Sequence, residues 1–113
     1  MSMIARVTRE GITPEVTRPE ADRLISGDPV HTTWSVEEQG GTYCGLWQST
    51  PGKWRVNFTE WEYVHIHSGH SVVTDDTGTA THLRAGDSYI LKVGFKGTWE
   101  VLETTLKDYV IRG

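Results

Sequence analysis

The sequence predicts an all-β domain in which short antiparallel strands form a sandwich or a barrel. From residue 30 onward, strand-like runs and turns alternate at close, even spacing. Residues 53–58 alternate strictly between polar and apolar side chains, which is the two-residue period of a β-strand. Turn sequences separate the strand-like runs, as at Pro51-Gly52 and at Asp75-Asp-Thr-Gly78. A chain of 113 residues is long enough for one domain with its own core.

The first 29 residues differ from the rest and are predicted to be an N-terminal arm with one short helix. Three prolines break up any long element in this segment. Residues 19–26 favour a helix, because proline suits its first position, acidic residues occupy its first turn and Gly27 can end it. Residues 1–16 are expected to be an arm that becomes ordered only by docking on another surface.

Residues 30–113 are predicted to form a single barrel domain. The runs between turns are rich in β-branched and aromatic residues, as strands are. Strands are predicted over residues 30–36, 43–48, 53–58, 61–67, 71–74, 79–83, 88–93, 98–103 and 107–111.

Charge and cysteine content argue against several classes of protein. The formal net charge is −4 and the basic residues are scattered singly, so no nucleic-acid partner is expected. No apolar run reaches the roughly 18 residues of a membrane-spanning helix, and none near the start suits a secretory signal. We therefore expect a cytoplasmic protein without a membrane partner. Cys44 is the single cysteine, and a small buried hydrophobe is favoured over a nucleophile.

Two spacings resemble those of the cupin superfamily. Glu62 and Gly69, with six residues between them, are similar to the end of its first motif. Gly86 and Gly94, with seven residues between them, are similar to the start of its second motif. The chain is most similar to the small single-barrel branch that includes the ureidoglycine aminohydrolase cupin domain and the ethanolamine-utilisation barrel proteins. The likeness lies in Gly45-Leu-Trp47, Pro51-Gly-Lys-Trp-Arg55, Glu62-Tyr-Val64, Gly69, Ala85-Gly-Asp87, Gly94-Phe-Lys-Gly-Thr-Trp99 and Lys107-Asp-Tyr109.

The resemblance implies a jelly-roll β-barrel, often dimeric, with a pocket inside one end. Metal-binding cupins use three histidines and one glutamate, and those positions fall here on Arg55, Asn57, Glu62 and Gly97. Arginine has no lone pair for a metal and glycine has no side chain. We therefore expect no metal and no other cofactor.

The same resemblance implies a register for the strand over residues 53–58. It places Arg55 and Asn57 in the barrel lumen, whereas alternation alone places Trp54, Val56 and Phe58 in the core. With the first register, the aromatic face needs cover, because monomers avoid large apolar patches. A homodimer, or an arm swapped between two copies, is expected to supply it.

The predicted site is a set of side chains gathered in the lumen. Glu62 could move a proton if it is partly desolvated, and Trp99 would form a flat wall. The planar guanidinium of Arg55 can donate two parallel hydrogen bonds to a carboxylate or a phosphate. The set comprises Arg55, Asn57, Glu62 and Trp99, with Lys107 and Tyr109 nearby.

Three interpretations of this set stay open. The first is a binding barrel without turnover, for a small polar or anionic metabolite. The second is a metal-independent enzyme of nitrogen or amino-acid metabolism, with Glu62 as the acid–base residue and Arg55 orienting the substrate. The third is a polar cluster that only fills a small barrel.

The histidines form a separate candidate. His65 and His67 alternate along one strand, which is a workable spacing for a surface metal, with His31, His70 or His82 as further ligands. Because side chains alternate along a strand, the odd-numbered His65 and His67 lie on the face opposite Glu62. A surface or interface pair without metal is therefore favoured.

Overall fold

The computed structural model describes residues 3–113, and the elements in this range are β-strands connected by turns. The nine strands are β1 (Glu15–Thr17), β2 (Leu24–Gly27), β3 (His31–Gln39), β4 (Thr42–Ser49), β5 (Gly52–Asn57), β6 (Trp61–Asp75), β7 (Ala80–Arg84), β8 (Ser88–Leu91) and β9 (Lys96–Arg112). Among these residues, no helix is long and apolar enough to cross a membrane.

Two long strands, β6 and β9, are shared by two layers of antiparallel sheet. One layer runs β1-β3-β4, then the second half of β9, the first half of β6, and β8. The other runs β2-β5, then the first half of β9, the second half of β6, and β7. The fold is an antiparallel jelly-roll β-barrel, which confirms the predicted fold class.

For each of the two long strands, the sequence pattern predicted two shorter strands. Residues 61–67 and 71–74 were predicted as separate strands, but both lie in β6, whose pairing with β9 shifts register between Ile66 and Ser71. These bulges bend the strand from one layer into the other without ending it. Residues 98–103 and 107–111 likewise lie in β9.

The bend in β6 depends on Gly69. This residue has φ +94°, and a Cβ on it would lie 2.1 Å from the carbonyl oxygen of Thr104. Only a residue without a side chain permits that backbone angle and that approach to β9.

The helix predicted over residues 19–26 is wrong. The amide of Leu24 donates to the carbonyl of Glu20, which makes one turn, and β2 then pairs with β5. So short a segment gains little as a helix, because nucleation is unfavourable. Pairing with β5 instead gives its backbone partners in the sheet.

The arm predicted over residues 1–16 is described from residue 3 onward, and Met1 and Ser2 lie outside the described residues. Its last part enters β1, which pairs with β3 through Val16 and Thr32. The predicted boundary between residues 29 and 30 stays a prediction.

The core lies between the two layers, on the inward face of the long strands. Val64 and Ile66 are fully buried, and Trp99 is 2% exposed. The cluster comprises Trp54, Val64, Ile66, Val73, Leu83, Leu91, Trp99 and Val101, with Trp47, Val56, Phe58 and Phe95 packed against it. One part of this interior is left open as a cavity.

Candidate functional site

A cavity of about 440 Å³ occupies part of the barrel interior and is open to solvent. Most of its wall comes from β3, β4, β5 and β9, with the start of β6 and the connection before it. Its lining residues are His31, Thr33, Tyr43, Trp47, Trp54, Val56, Phe58, Glu60, Glu62, Trp99, Lys107, Tyr109 and Ile111.

Cross-strand pairing brings these side chains to one face. Trp54 of β5 pairs with Trp99, and Trp47 of β4 pairs with Lys107. Directly paired residues of antiparallel strands project from the same face. Because side chains alternate along a strand, Tyr109 projects inward with Lys107.

A buried ion pair is the most unusual feature of the wall. Lys107 Nζ lies 3.1 Å from Glu62 Oε2, and the side chains are 6% and 7% exposed. Charged groups are seldom so buried unless they are paired. Glu62 lies on β6 and Lys107 on β9, and these two long strands pair with each other.

Two indole rings also contact the ammonium group. Lys107 Nζ lies 4.4 Å from the ring centroid of Trp47 and 4.3 Å from that of Trp99. A cation at this distance from an indole face is attracted by the ring quadrupole. One carboxylate and two aromatic faces thus surround Lys107.

His31 contributes a neutral imidazole to the same wall. Its ring centroid lies 4.5 Å from that of Trp54 and 5.2 Å from that of Trp47. Burial, and then the positive charge of Lys107, lowers the pKa of His31 to about 4. The imidazole is therefore uncharged at neutral pH.

Two buried nitrogen atoms of the wall lack a hydrogen-bond partner among residues 3–113. They are Nε1 of Trp99 and Nε2 of His31. Buried polar atoms are nearly always hydrogen-bonded, so each exception requires an explanation. Both belong to residues that line the cavity.

Burial also affects two groups that ionise at high pH. It raises the pKa of Tyr109, and nearby Cys44, Glu38 and Glu62 add to that rise. Burial is also the main cause that raises the pKa of Cys44. The phenol is therefore neutral at pH 7, and a raised pKa is typical of an unreactive thiol, although Cys44 is only partly buried.

The structure corrects the predicted lumen position of Arg55 and Asn57. Both are exposed and neither lines the cavity. Arg55 pairs with Thr98, next to the pair formed by Trp54 and Trp99, and so projects from the other face. A shift of one residue in a strand reverses every side chain, and the register implied by the resemblance was shifted in this way.

Four of the six predicted ligand-binding residues do line the cavity: Glu62, Trp99, Lys107 and Tyr109. The prediction missed His31, Trp47, Trp54 and the apolar residues beside them. Strict alternation over residues 53–58 already indicated that Trp54 and Val56 face inward. No sequence signal could place His31, because its ring contacts depend on the pairing of β3 with β4.

The lumen does not provide the donor set of a cupin metal. Two of the four family-implied positions, Arg55 and Asn57, project outward. A side chain at Gly97 would begin 1.8 Å from the carbonyl oxygen of Thr74. Glu62 remains, but the ammonium of Lys107 is paired with it and would repel a metal cation. No group of three metal-binding side chains occurs within residues 3–113.

The outer-face histidines are engaged with other side chains. His67 Nε2 lies 2.6 Å from Asp108 Oδ1, and His65 Nδ1 lies 2.8 Å from Ser88 Oγ. His70 and His82 form a pair, with Nε2 and Nδ1 2.8 Å apart. They do not line the cavity, in agreement with the outer-face position predicted for His65 and His67.

Solved structures share this fold. A protein of unknown function from Pseudomonas syringae pv. tomato superposes with a TM-score of 0.82 at 21% identity, over 93% of this chain and 46% of its own. This chain therefore spans about half the length of that protein. The Clostridium difficile EutQ protein gives a TM-score of 0.68 at 19% identity, over 85% of this chain and 79% of its own.

Ectoine synthase from P. lautus has a TM-score of 0.73 at 14% identity, over 97% of this chain and 78% of its own. At these identities the likeness concerns the fold alone. No curated protein matches the sequence. The model of the EutQ-like cupin domain matches residues 36–109, and this chain therefore belongs to the EutQ-like cupin family.

Proposed function

We propose that this protein binds a small organic molecule inside the barrel, without a metal ion. The observation that carries the proposal is the buried pair of Lys107 and Glu62 in the wall of an aromatic cavity. A volume of about 440 Å³ lies within the range of small-molecule sites, which are mostly apolar with a few placed polar groups.

Stability alone does not account for this wall. Replacing a buried ion pair with well-packed apolar side chains is often neutral or stabilising. An interior built only for stability would also leave few voids. This one retains a cavity with a buried ion pair in its wall. A ligand explains both features together.

The position of Arg55 narrows the ligand class. An anionic metabolite needs a free cation in the lumen, and the expected cation is the guanidinium of Arg55. The side chain of Arg55 is exposed on the outer face of the barrel instead. Lys107 is the cation in the cavity wall, and it is already paired with Glu62. We therefore favour a compact molecule with an apolar or aromatic body and polar groups, rather than an anion.

An enzyme remains the second candidate function. One observation favours it: Glu62 and Lys107 place a carboxylate and an ammonium side by side in the cavity wall, as acid–base chemistry requires. Arg55 has no part in this version. A Glu62→Gln variant of such an enzyme would lose orders of magnitude in turnover, whereas a binding barrel would lose only affinity.

We also propose that the protein is a cytoplasmic homodimer. The original reason for a dimer no longer applies, because Trp54, Val56 and Phe58 face the lumen. The proposal rests instead on the family resemblance, which implies barrels that are often dimeric, and exposed apolar side chains such as Val16, Ile90 and Val93 are available for an interface. Sedimentation that shows only monomer at micromolar concentration would overturn this proposal.

Benzamide, benzoate and benzylamine can test the binding proposal. Each is titrated into labelled protein while the indole N–H resonances are followed. Val56→Trp should occupy part of the cavity and weaken binding, whereas Arg55→Ala, on the outer face of the same strand, should leave it unchanged. If none of the three binds saturably below about 10 mM, the proposal fails.

A further inference from the structure

We propose that the cavity selects an uncharged molecule over a cation or an anion of the same shape. The inference rests on the proposed function, since it specifies the ligand of that same cavity. It follows from the contacts that the charged and aromatic groups of the wall already make with one another.

The buried charges of the cavity wall cancel. Glu62 and Lys107 form a pair, His31 is neutral, and Tyr43 and Tyr109 are phenols. Glu60 is the remaining carboxylate of the lining, and it is partly exposed, so solvent and salt screen it. A charged ligand would lose its hydration without gaining a free counter-ion.

An anion is disfavoured by the surfaces that it would meet. Aromatic faces are electron-rich, and Trp47, Trp54 and Trp99 provide three of them. The carboxylate of Glu62 lies against the ammonium that an anion would seek. Binding an anion would therefore require Lys107 to leave its partner.

A cation is disfavoured although the wall resembles a cation-binding aromatic cage. Aromatic cages bind ammonium ligands through ring faces, often beside a carboxylate. Here Lys107 itself occupies that position, 4.4 Å from Trp47, 4.3 Å from Trp99 and 3.1 Å from Glu62. A second cation beside it would be repelled.

The polar groups of the lining favour a neutral molecule with hydrogen-bonding groups. The hydroxyl groups of Thr33, Tyr43 and Tyr109 can each donate and accept hydrogen bonds. Amides and lactams on a flat ring supply both kinds of group, and that is the ligand class we infer.

The test uses three probes of nearly equal size and different charge at pH 7. Benzamide is neutral, benzoate is an anion and benzylamine is a cation. Benzamide should bind with a Kd at least about tenfold lower than either charged probe, because neither finds a free counter-ion. Equal or tighter binding of benzoate or benzylamine would overturn the inference while the binding proposal stands. If none binds, both fail.

A Lys107→Met variant tests the role of the lysine separately. Removal of the ammonium leaves Glu62 and two indole faces for an external cation, so benzylamine should now bind more tightly than benzamide. In the double variant with Glu62→Gln, the preference for benzylamine should largely disappear. A Lys107→Met protein that still prefers benzamide would show that Lys107 does not exclude cations. If the variant does not fold, the comparison of the three probes on the wild type decides the inference alone.

Discussion

The Nζ of Lys107 lies 3.1 Å from Oε2 of Glu62, with both side chains more than nine-tenths buried. The pair joins β6 to β9, the two strands that both sheet layers share. Its energetic role and its role in the cavity can be separated by substitution.

Removing one member of the pair should cost more than removing both. Lys107→Met leaves a buried carboxylate without its partner, and should lower the free energy of unfolding by about 3–5 kcal/mol. The double variant Lys107→Met with Glu62→Leu should recover most of that loss, because apolar groups replace both charges. Denaturant unfolding measures all three proteins. A double variant as unstable as the single one would contradict this reading of the pair.

His31 should make stability depend on pH between about 6.5 and 4. In this interval the unfolded chain protonates His31, whereas the folded chain keeps it neutral, so stability falls as pH falls. The loss is at most about 3 kcal/mol, and less because the ring is partly solvated. The difference between wild type and His31→Gln in denaturant unfolding isolates this effect from the carboxylates. A difference that stays constant from pH 7 to pH 4 would contradict it.

Gly69 and Gly78 form a matched pair for testing the bend in β6. Both have positive φ, but a Cβ at Gly78 meets no described atom within 4 Å, whereas one at Gly69 meets Thr104 at 2.1 Å. Gly78→Ala should cost about 1–2 kcal/mol, the strain of the left-handed backbone. Gly69→Ala adds a collision with the backbone and should cost about 1–3 kcal/mol more. Thermal unfolding of the two variants compares them, and equal losses would argue against the close approach to β9.

The donor set of the lumen predicts a protein that holds no stoichiometric metal. Protein purified without a histidine tag should contain less than about 0.1 equivalents of any transition metal, since one glutamate paired with a lysine is a poor site. Elemental analysis after dialysis measures the content. One tightly held ion per chain would contradict the prediction, and its loss in either Glu62→Gln or His67→Gln would show whether the lumen or the outer face binds it.

Local patterns predicted the fold better than the site. The alternation over residues 53–58 and the turn over residues 75–78 are short-range signals, and both elements are present. The helix over residues 19–26 failed because its backbone is paired with β5, a contact that no local propensity reveals. The long strands were divided in two because bulges interrupt their periodicity.

Which side chains form the site depends on the register of β5, and a shift of one residue exchanges the inward and outward faces. Arg55 and Trp54 are neighbours, and the pairing of Trp54 with Trp99 places Trp54 in the lumen, as alternation alone predicted and the register implied by the resemblance did not. Glu62, Trp99, Lys107 and Tyr109 were placed correctly in the cavity. The contact of Lys107 with two indole rings requires β4 in register with β9 and brings together two distant positions of β9, which sequence spacing alone does not give.

A crystal structure of the protein soaked with benzamide would show whether the cavity beside Lys107 receives a small organic molecule. We expect density for the ring inside the barrel, against Trp54 and Trp99. Density for benzamide only on the outer surface, or a lumen closed by its own side chains, would contradict the binding proposal.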